Sequence, residues 1–217
     1  MRAVASRGLF PAGKLLLHPA FKPLVFALAL MPLGWLIWQA AFDQLGANPA
    51  EALVRASGDW TLRLLCAVLA VTPLRVMLVL PALARFRRML GLFVYFYASL
   101  HLLSYAWFDM GFDGADVLRD IARRPFILVG FVAFLVLTAL ALTSTTRMVK
   151  WLGVTRWKRL HQGVYGVAGL AILHFFWMRA GKNDFAEVLV YAAVLAALLG
   201  WRLRHALGRV NRRSNPG

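Results

Sequence analysis

Six runs of about twenty apolar residues, each bounded by charged or helix-breaking segments, constrain this chain more than any other feature. They cover residues 24–42, 60–80, 90–108, 126–143, 160–177 and 186–203. A bilayer core about 30 Å thick needs roughly 20 such residues per helix. In hydrocarbon every backbone N–H and C=O must be paired within the protein, so only helices and closed barrels can span. These runs are too long for barrel strands and show no alternation. The expected fold is all-α, an integral membrane bundle of six transmembrane helices. Asn48-Pro49, Ser57-Gly58-Asp59, Arg124-Pro125, Gly153 and Gly181 read as the breakers and caps between runs. Hydrophobic residues make up 61% of the chain, against about 45–50% in soluble domains.

The formal net charge is +16. In a soluble protein that would suggest nucleic acid, but here the charge sits in short blocks between apolar runs. Arg2, Arg7, Lys14 and Lys22 precede the first run. Arg75, Arg85, Arg87 and Arg88 lie between the second and third, and Arg147, Lys150, Arg156, Lys158 and Arg159 between the fourth and fifth. Arg202, Arg204, Arg209, Arg212 and Arg213 close the chain. The other three connections carry most of the acids: Asp43, Glu51 and Asp59, then Asp109, Asp113, Asp116 and Asp120, then Asp184 and Glu187. Basic residues accumulate on the cytoplasmic side of membrane proteins, so both termini are expected there and no nucleic-acid partner is implied. The chain divides into a cytoplasmic segment 1–23, a six-helix transmembrane domain 24–203 and a basic cytoplasmic tail 204–217. The first run lacks a small-residue cleavage site directly after a short apolar stretch, and reads as a retained helix. Trp35, Trp38, Trp60, Trp107, Trp177 and Trp201 lie toward span ends, as aromatic belts do.

Histidine is where chemistry enters. His18 and His205 lie at or beyond span margins and read as solvated, whereas His101, His161 and His174 fall within or at the ends of the third and fifth runs. An ionisable side chain at membrane depth is a functional hypothesis by default. The acids are expected in the outer loops and their margins, which leaves no obvious proton relay. Zinc needs three or four ligands in one place, and His161 and His174 stand about 20 Å apart along a helix. Neutral imidazole does suit haem iron, and two helices can clamp one macrocycle. The single cysteine, Cys66, and the absence of a CxxCH motif mean that any haem is held non-covalently. With both runs directed outward, His101 and His174 reach comparable depth and can face one another. His161 sits at the cytoplasmic boundary, where the third run offers Arg87 and Arg88 rather than a second His. Met89, Met148 or an unusual ligand would complete an inner haem there, or His161 would serve a haem carboxylate. Gly163, Gly166 and Gly169 form a small-residue stripe for close approach of a porphyrin or for helix packing.

RRMLGLFVYFYASLHLLSYAWFDMG, RPFILVG, LALTSTTRMVKWLG and WKRLHQGVYGVAGLAILHFFW follow one another in this order. With LGANPAEALVRASGDWTLRLLCAVLAVTPLR before them, they cover nearly the whole chain and resemble the MsrQ family. That family lies within the ferric-reductase-like transmembrane superfamily. The resemblance implies a haem b subunit of the bacterial inner membrane, with His101, His161 and His174 as haem ligands and one or two haems bound. It implies electrons taken from the quinone pool, with a cytosolic flavin reductase as a proposed further donor. They would pass to a periplasmic molybdopterin partner, MsrP, which reduces methionine sulfoxide in oxidised proteins. FMN is implied by the resemblance alone. No GxGxxG follows a strand and no soluble nucleotide domain is present, unlike single-chain oxidases and ferric reductases of the superfamily. The outer acids Asp109, Asp113, Asp116 and Asp120 are candidates for partner docking or ordinary loop residues. Two alternatives stay open: a stand-alone ferric reductase or quinol-linked cytochrome b, and a transporter or assembly factor with structural histidines.

Overall fold

The computed structural model describes residues 11–181 and 183–214. Arg2, Arg7 and the end of the tail beyond 214 lie outside the described residues, as do the side chains of Lys14, Arg209, Arg212 and Arg213. The described residues form α1 (Pro11–Leu17), α2 (Phe21–Ala41), α3 (Pro49–Met77), a 3-10 turn (Pro81–Phe86) and α4 (Arg87–Phe108). There follow α5 (Gly114–Arg123), α6 (Pro125–Leu142), α7 (Thr146–Leu152), α8 (Val154–His161), α9 (Gly163–Ala180) and α10 (Ala186–Ser214). Among the described residues, six segments are long and apolar enough to cross a membrane: Phe21–Ala41, Pro49–Met77, Pro81–Phe108, Pro125–Leu142, Val154–Ala180 and Ala186–Gly208. The all-α six-span architecture expected from the apolar runs is the one observed.

The largest departure is in the second span, which starts at Pro49 rather than at residue 60. Asn48 caps the helix by accepting from the Glu51 N–H, and Pro49 takes a first-turn position where its missing N–H has no cost. Ser57-Gly58-Asp59 is therefore not a breaker. Ser57 bonds back to the carbonyls of Leu53 and Val54, and Glu51–Arg55 and Asp59–Arg63 pair across successive turns. The extension places Glu51 and Asp59 on a membrane-spanning helix, correcting their assignment to an outer loop. At the other end α10 continues past residue 203, because no proline intervenes before Pro216 and most of the residues there are good helix formers.

The connection between α4 and α6 also has structure of its own. Asp113 caps α5 by accepting from the N–H groups of Ala115 and Asp116. Asp116 pairs with Arg119 at 2.6 Å. Asp120 pairs with Arg124 at 2.8 Å and accepts from the Tyr105 hydroxyl at 2.7 Å. Asp113 and Asp116 thus act within α5, while Asp120 holds it to α4 and α6, with Ile121 on its buried face.

In the core, α3 packs along α4 and α6 along α9, with α10 against α3 and α9. Leu65, Leu69, Val94, Tyr97 and Val167 are the most deeply buried large side chains. By contrast α2 is peripheral and turns Met31, Trp35 and Ile37 outward, as a lipid-facing helix does. One polar contact ties it in. The fully buried Tyr97 hydroxyl donates to Ala29 O at 2.9 Å and accepts from Leu33 N–H at 3.1 Å. It thus engages both ends of one helical rung, next to Pro32, which has no N–H to offer.

Tyr97→Phe is expected to cost about 1–2 kcal/mol, the range for losing hydrogen bonds to buried backbone groups. A thermal midpoint in detergent equal to the parent's would contradict that role for the hydroxyl. The alternation of charge predicts that a green fluorescent protein fused to the C-terminus fluoresces while a phosphatase fusion there is inactive. The reverse pattern would overturn the expected orientation.

Candidate cofactor site

His101 on α4 and His174 on α9 meet between the two helix pairs, their ring centroids 6.1 Å apart with planes at 78°. Each ring is fixed by a carbonyl of the neighbouring helix. His101 Nδ1 lies 2.8 Å from Val54 O of α3, and His174 Nδ1 lies 2.7 Å from Phe126 O of α6. A carbonyl only accepts, so each Nδ1 carries the proton and each Nε2 is left with its lone pair. An outer carbonyl partner of this kind is what orients a metal-ligating imidazole and raises its basicity.

Both rings press on a glycine one turn beyond the carbonyl that holds them. A Cβ at Gly58 would stand 3.1 Å from His101 Cε1 and Nδ1, and one at Gly130 would stand 2.8 Å from His174 Nδ1. The same device occurs twice, with carbonyl and histidine 47 residues apart in the first half and 48 in the second. Here α3 and α4 repeat as α6 and α9. Gly163, Gly166 and Gly169 are not among the residues lining the His101–His174 cavity; a Cβ at Gly166 or Gly169 would meet nothing within 4 Å, and one at Gly163 would touch Val136. Gly58 and Gly130 are the functional positions that sequence reasoning passed over. Their near-equal spacing to His101 and His174 was the available signal.

The two imidazoles line a cavity of about 340 Å³, within the range of ligand-binding pockets. Most of its wall is apolar, including Leu62, Leu65, Ala98, Phe131, Phe134 and Val167. Its charged residues, Glu51, Arg55, Asp59, Asp109 and Arg124, cluster with Tyr105 at one end of the bundle, at the start of α3, the end of α4 and the start of α6. Burial raises the Asp109 carboxyl above the usual carboxylate range, against the opposing pull of Arg124.

His161 stands apart from this cavity, at the end of α8. Its ring stacks on Trp157 at 4.0 Å, and Trp157 donates in turn to Thr143 O at 2.9 Å. Its Nε2 is 3.5 Å from Ser144 Oγ, and backbone groups of Trp157 and Leu140 lie within reach of the ring. The structure thus unites two of the three candidate ligands and leaves the third at a separate place.

The sequence profile of the ferric reductase like transmembrane component matches residues 57–172, from the turn of Gly58 to just short of His174. A protein of Polaromonas naphthalenivorans is 66% identical, over 92% of this chain and 91% of its own length. Its name is protein-methionine-sulfoxide reductase heme-binding subunit MsrQ. The chain belongs to the MsrQ family. MsrQ proteins of the same name from Bordetella pertussis and Xanthomonas campestris pv. campestris are 52% and 45% identical, over 84% and 85% of this chain and 88% and 86% of theirs. No solved structure matches the chain. The MsrQ relatives extend over most of its length, beyond the ferric-reductase profile at both ends.

Gly130→Ala is expected to dislodge His174 from Phe126 O and to lower the thermal midpoint more than Gly58→Ala does. Gly166→Ala and Gly169→Ala are expected to change it little, and equal losses at all four positions would refute the contact as the cause.

Proposed function

We propose that this MsrQ-family chain is a haem b electron-transfer subunit that carries electrons across the bacterial inner membrane. The observation that carries the reading is the His101–His174 pair, two imidazoles with Nδ1 committed to carbonyls and Nε2 available in one cavity. Their 6.1 Å separation leaves room between them for one metal ion with bonds of about 2 Å. His101 and His174 would be the axial ligands of an outer haem, which supplies one-electron chemistry when bound. The protein would do no bond chemistry on methionine; it sets position and potential. Val54 O and Phe126 O hold the imidazole tautomers, the glycines set ring position, and the apolar wall keeps water from the site.

His161 would serve a second, inner haem, as axial ligand or as a partner of its carboxylates. The relatives are named as haem-binding subunits of protein-methionine-sulfoxide reductase, which supports delivery to a catalytic partner. In this reading electrons come from the quinone pool and go to the periplasmic molybdopterin enzyme MsrP, which repairs oxidised periplasmic proteins. A cytosolic flavin reductase is a further donor, and FMN a further cofactor. A cavity whose charged residues all come from the outer helix ends suits transfer to a periplasmic acceptor. The extension of the MsrQ similarity over most of the chain favours this over a stand-alone ferric reductase or quinol-linked cytochrome b.

His101→Ala and His174→Ala are each expected to abolish the reduced-minus-oxidised spectrum of the outer haem, while His161→Ala leaves it in place. Pyridine haemochrome quantification checks the outcome, and an unchanged dithionite-reducible spectrum in both of the first two variants would sink the assignment.

A further inference from the structure

The polar end of the cavity contains two cations, and their positions follow the histidine anchors. Arg55 comes directly after Val54, whose carbonyl holds His101, and Arg124 lies two residues before Phe126, whose carbonyl holds His174. One arginine therefore lines the cavity from the start of each anchoring helix, α3 and α6. A b-type porphyrin is an apolar disc with two carboxylates on one edge. Burying an ionised carboxylate among groups such as Leu65, Phe134 and Leu137 is prohibitive without a partner. The disc can enter this cavity only with its acidic edge at the polar end.

We propose that Arg55 and Arg124 bind the two haem carboxylates, one each, directing the carboxylate edge toward the outer end of the bundle. This rests on the reading of His101 and His174 as haem ligands. Both arginines already have acidic neighbours: Arg55 pairs with Glu51, and Arg124 Nε pairs with Asp120 Oδ1 at 2.8 Å. A guanidinium has five donors in a planar fork, more than one carboxylate uses. Tyr105 also donates to Asp120, so that acid does not depend on Arg124 alone. Asp59 and Asp109 line the same end and would repel a carboxylate, which makes the two cations the places where one can settle. Arg55 is the more buried of the two, its side chain 30% exposed against 55% for Arg124, so its charge is the less screened.

The test uses the full chain in detergent, produced without haem and titrated with haem b and with haem b dimethyl ester, which lacks both carboxylate charges. Wild type is expected to bind haem b about tenfold more tightly than the ester, as befits charge-assisted bonds. Arg55→Gln and Arg124→Gln should each weaken haem b binding and leave ester binding unchanged, with the larger loss at Arg55. Arg55→Lys and Arg124→Lys, which keep the charge, should retain a preference for haem b. Equal affinity of wild type for the two porphyrins overturns the proposal, and that comparison stands even where a Gln variant fails to fold. Parallel loss of both porphyrins in the Gln variants also overturns it, since the arginines then act on the fold alone. Uptake of neither porphyrin by wild type overturns the paired-histidine reading on which the proposal rests.

Discussion

Two hydrogen bonds from imidazole N–H groups to backbone carbonyls organise the centre of this protein. A histidine in hydrocarbon needs a partner for its N–H, because an unsatisfied polar group there costs several kcal/mol. Val54 O and Phe126 O supply those partners from neighbouring helices. Each bond holds because a glycine one turn away lets the ring lie against the backbone. Remove the glycine and the ring moves; move the ring and both the tautomer and the direction of Nε2 are lost. Helix spacing, ring orientation and ligand availability are therefore one constraint.

The constraint is met twice by the same means. The pair α3 and α4 carries carbonyl, glycine and histidine in that order, and α6 and α9 carry them again at nearly the same separation. Two such units run parallel in the membrane, the arrangement expected of repeats related by an axis along the membrane normal. A site between them takes one ligand from each. The repeat is incomplete at the inner end, where His161 belongs to the second unit and the first carries Arg87 and Arg88 at the corresponding depth. The outer pair closes on a cavity, while His161 packs on Trp157 beside Ser144.

Ions at the outer end are organised around the same elements. Extending α3 to Pro49 brings Glu51, Arg55 and Asp59 onto a helix that lines the cavity. Asp120 joins Arg124 to Tyr105, linking the heads of α5 and α6 to α4. Arg179, with Asp184 at 3.0 Å and Glu187 at 2.7 Å, does the same for α9 and α10. These pairs fasten helix ends where water and lipid meet, and most of the acids once open to a partner-docking role are engaged within the chain.

The amino-acid sequence alone determined the number of spans, the α-helical class, the alternation of charge and the three histidines of interest. Those features follow from run length and from the cost of exposing backbone or charge to hydrocarbon, both of which are local. Which histidines meet was legible only as a matter of depth, and the tertiary structure decided it by bringing α4 and α9 together. The roles of Gly58 and Gly130 escaped sequence reasoning for the same reason. Ser57-Gly58-Asp59 carries the composition of a turn, and nothing local shows that an imidazole from a distant helix fills the space left by the absent Cβ. Asp59 was assigned to a loop by that same local logic, whereas capping by Asn48 and ion pairs along α3 keep it helical. Run lengths and local chemistry could be read along the chain; the clamp is a contact between residues some fifty positions apart, and only the fold brings them together.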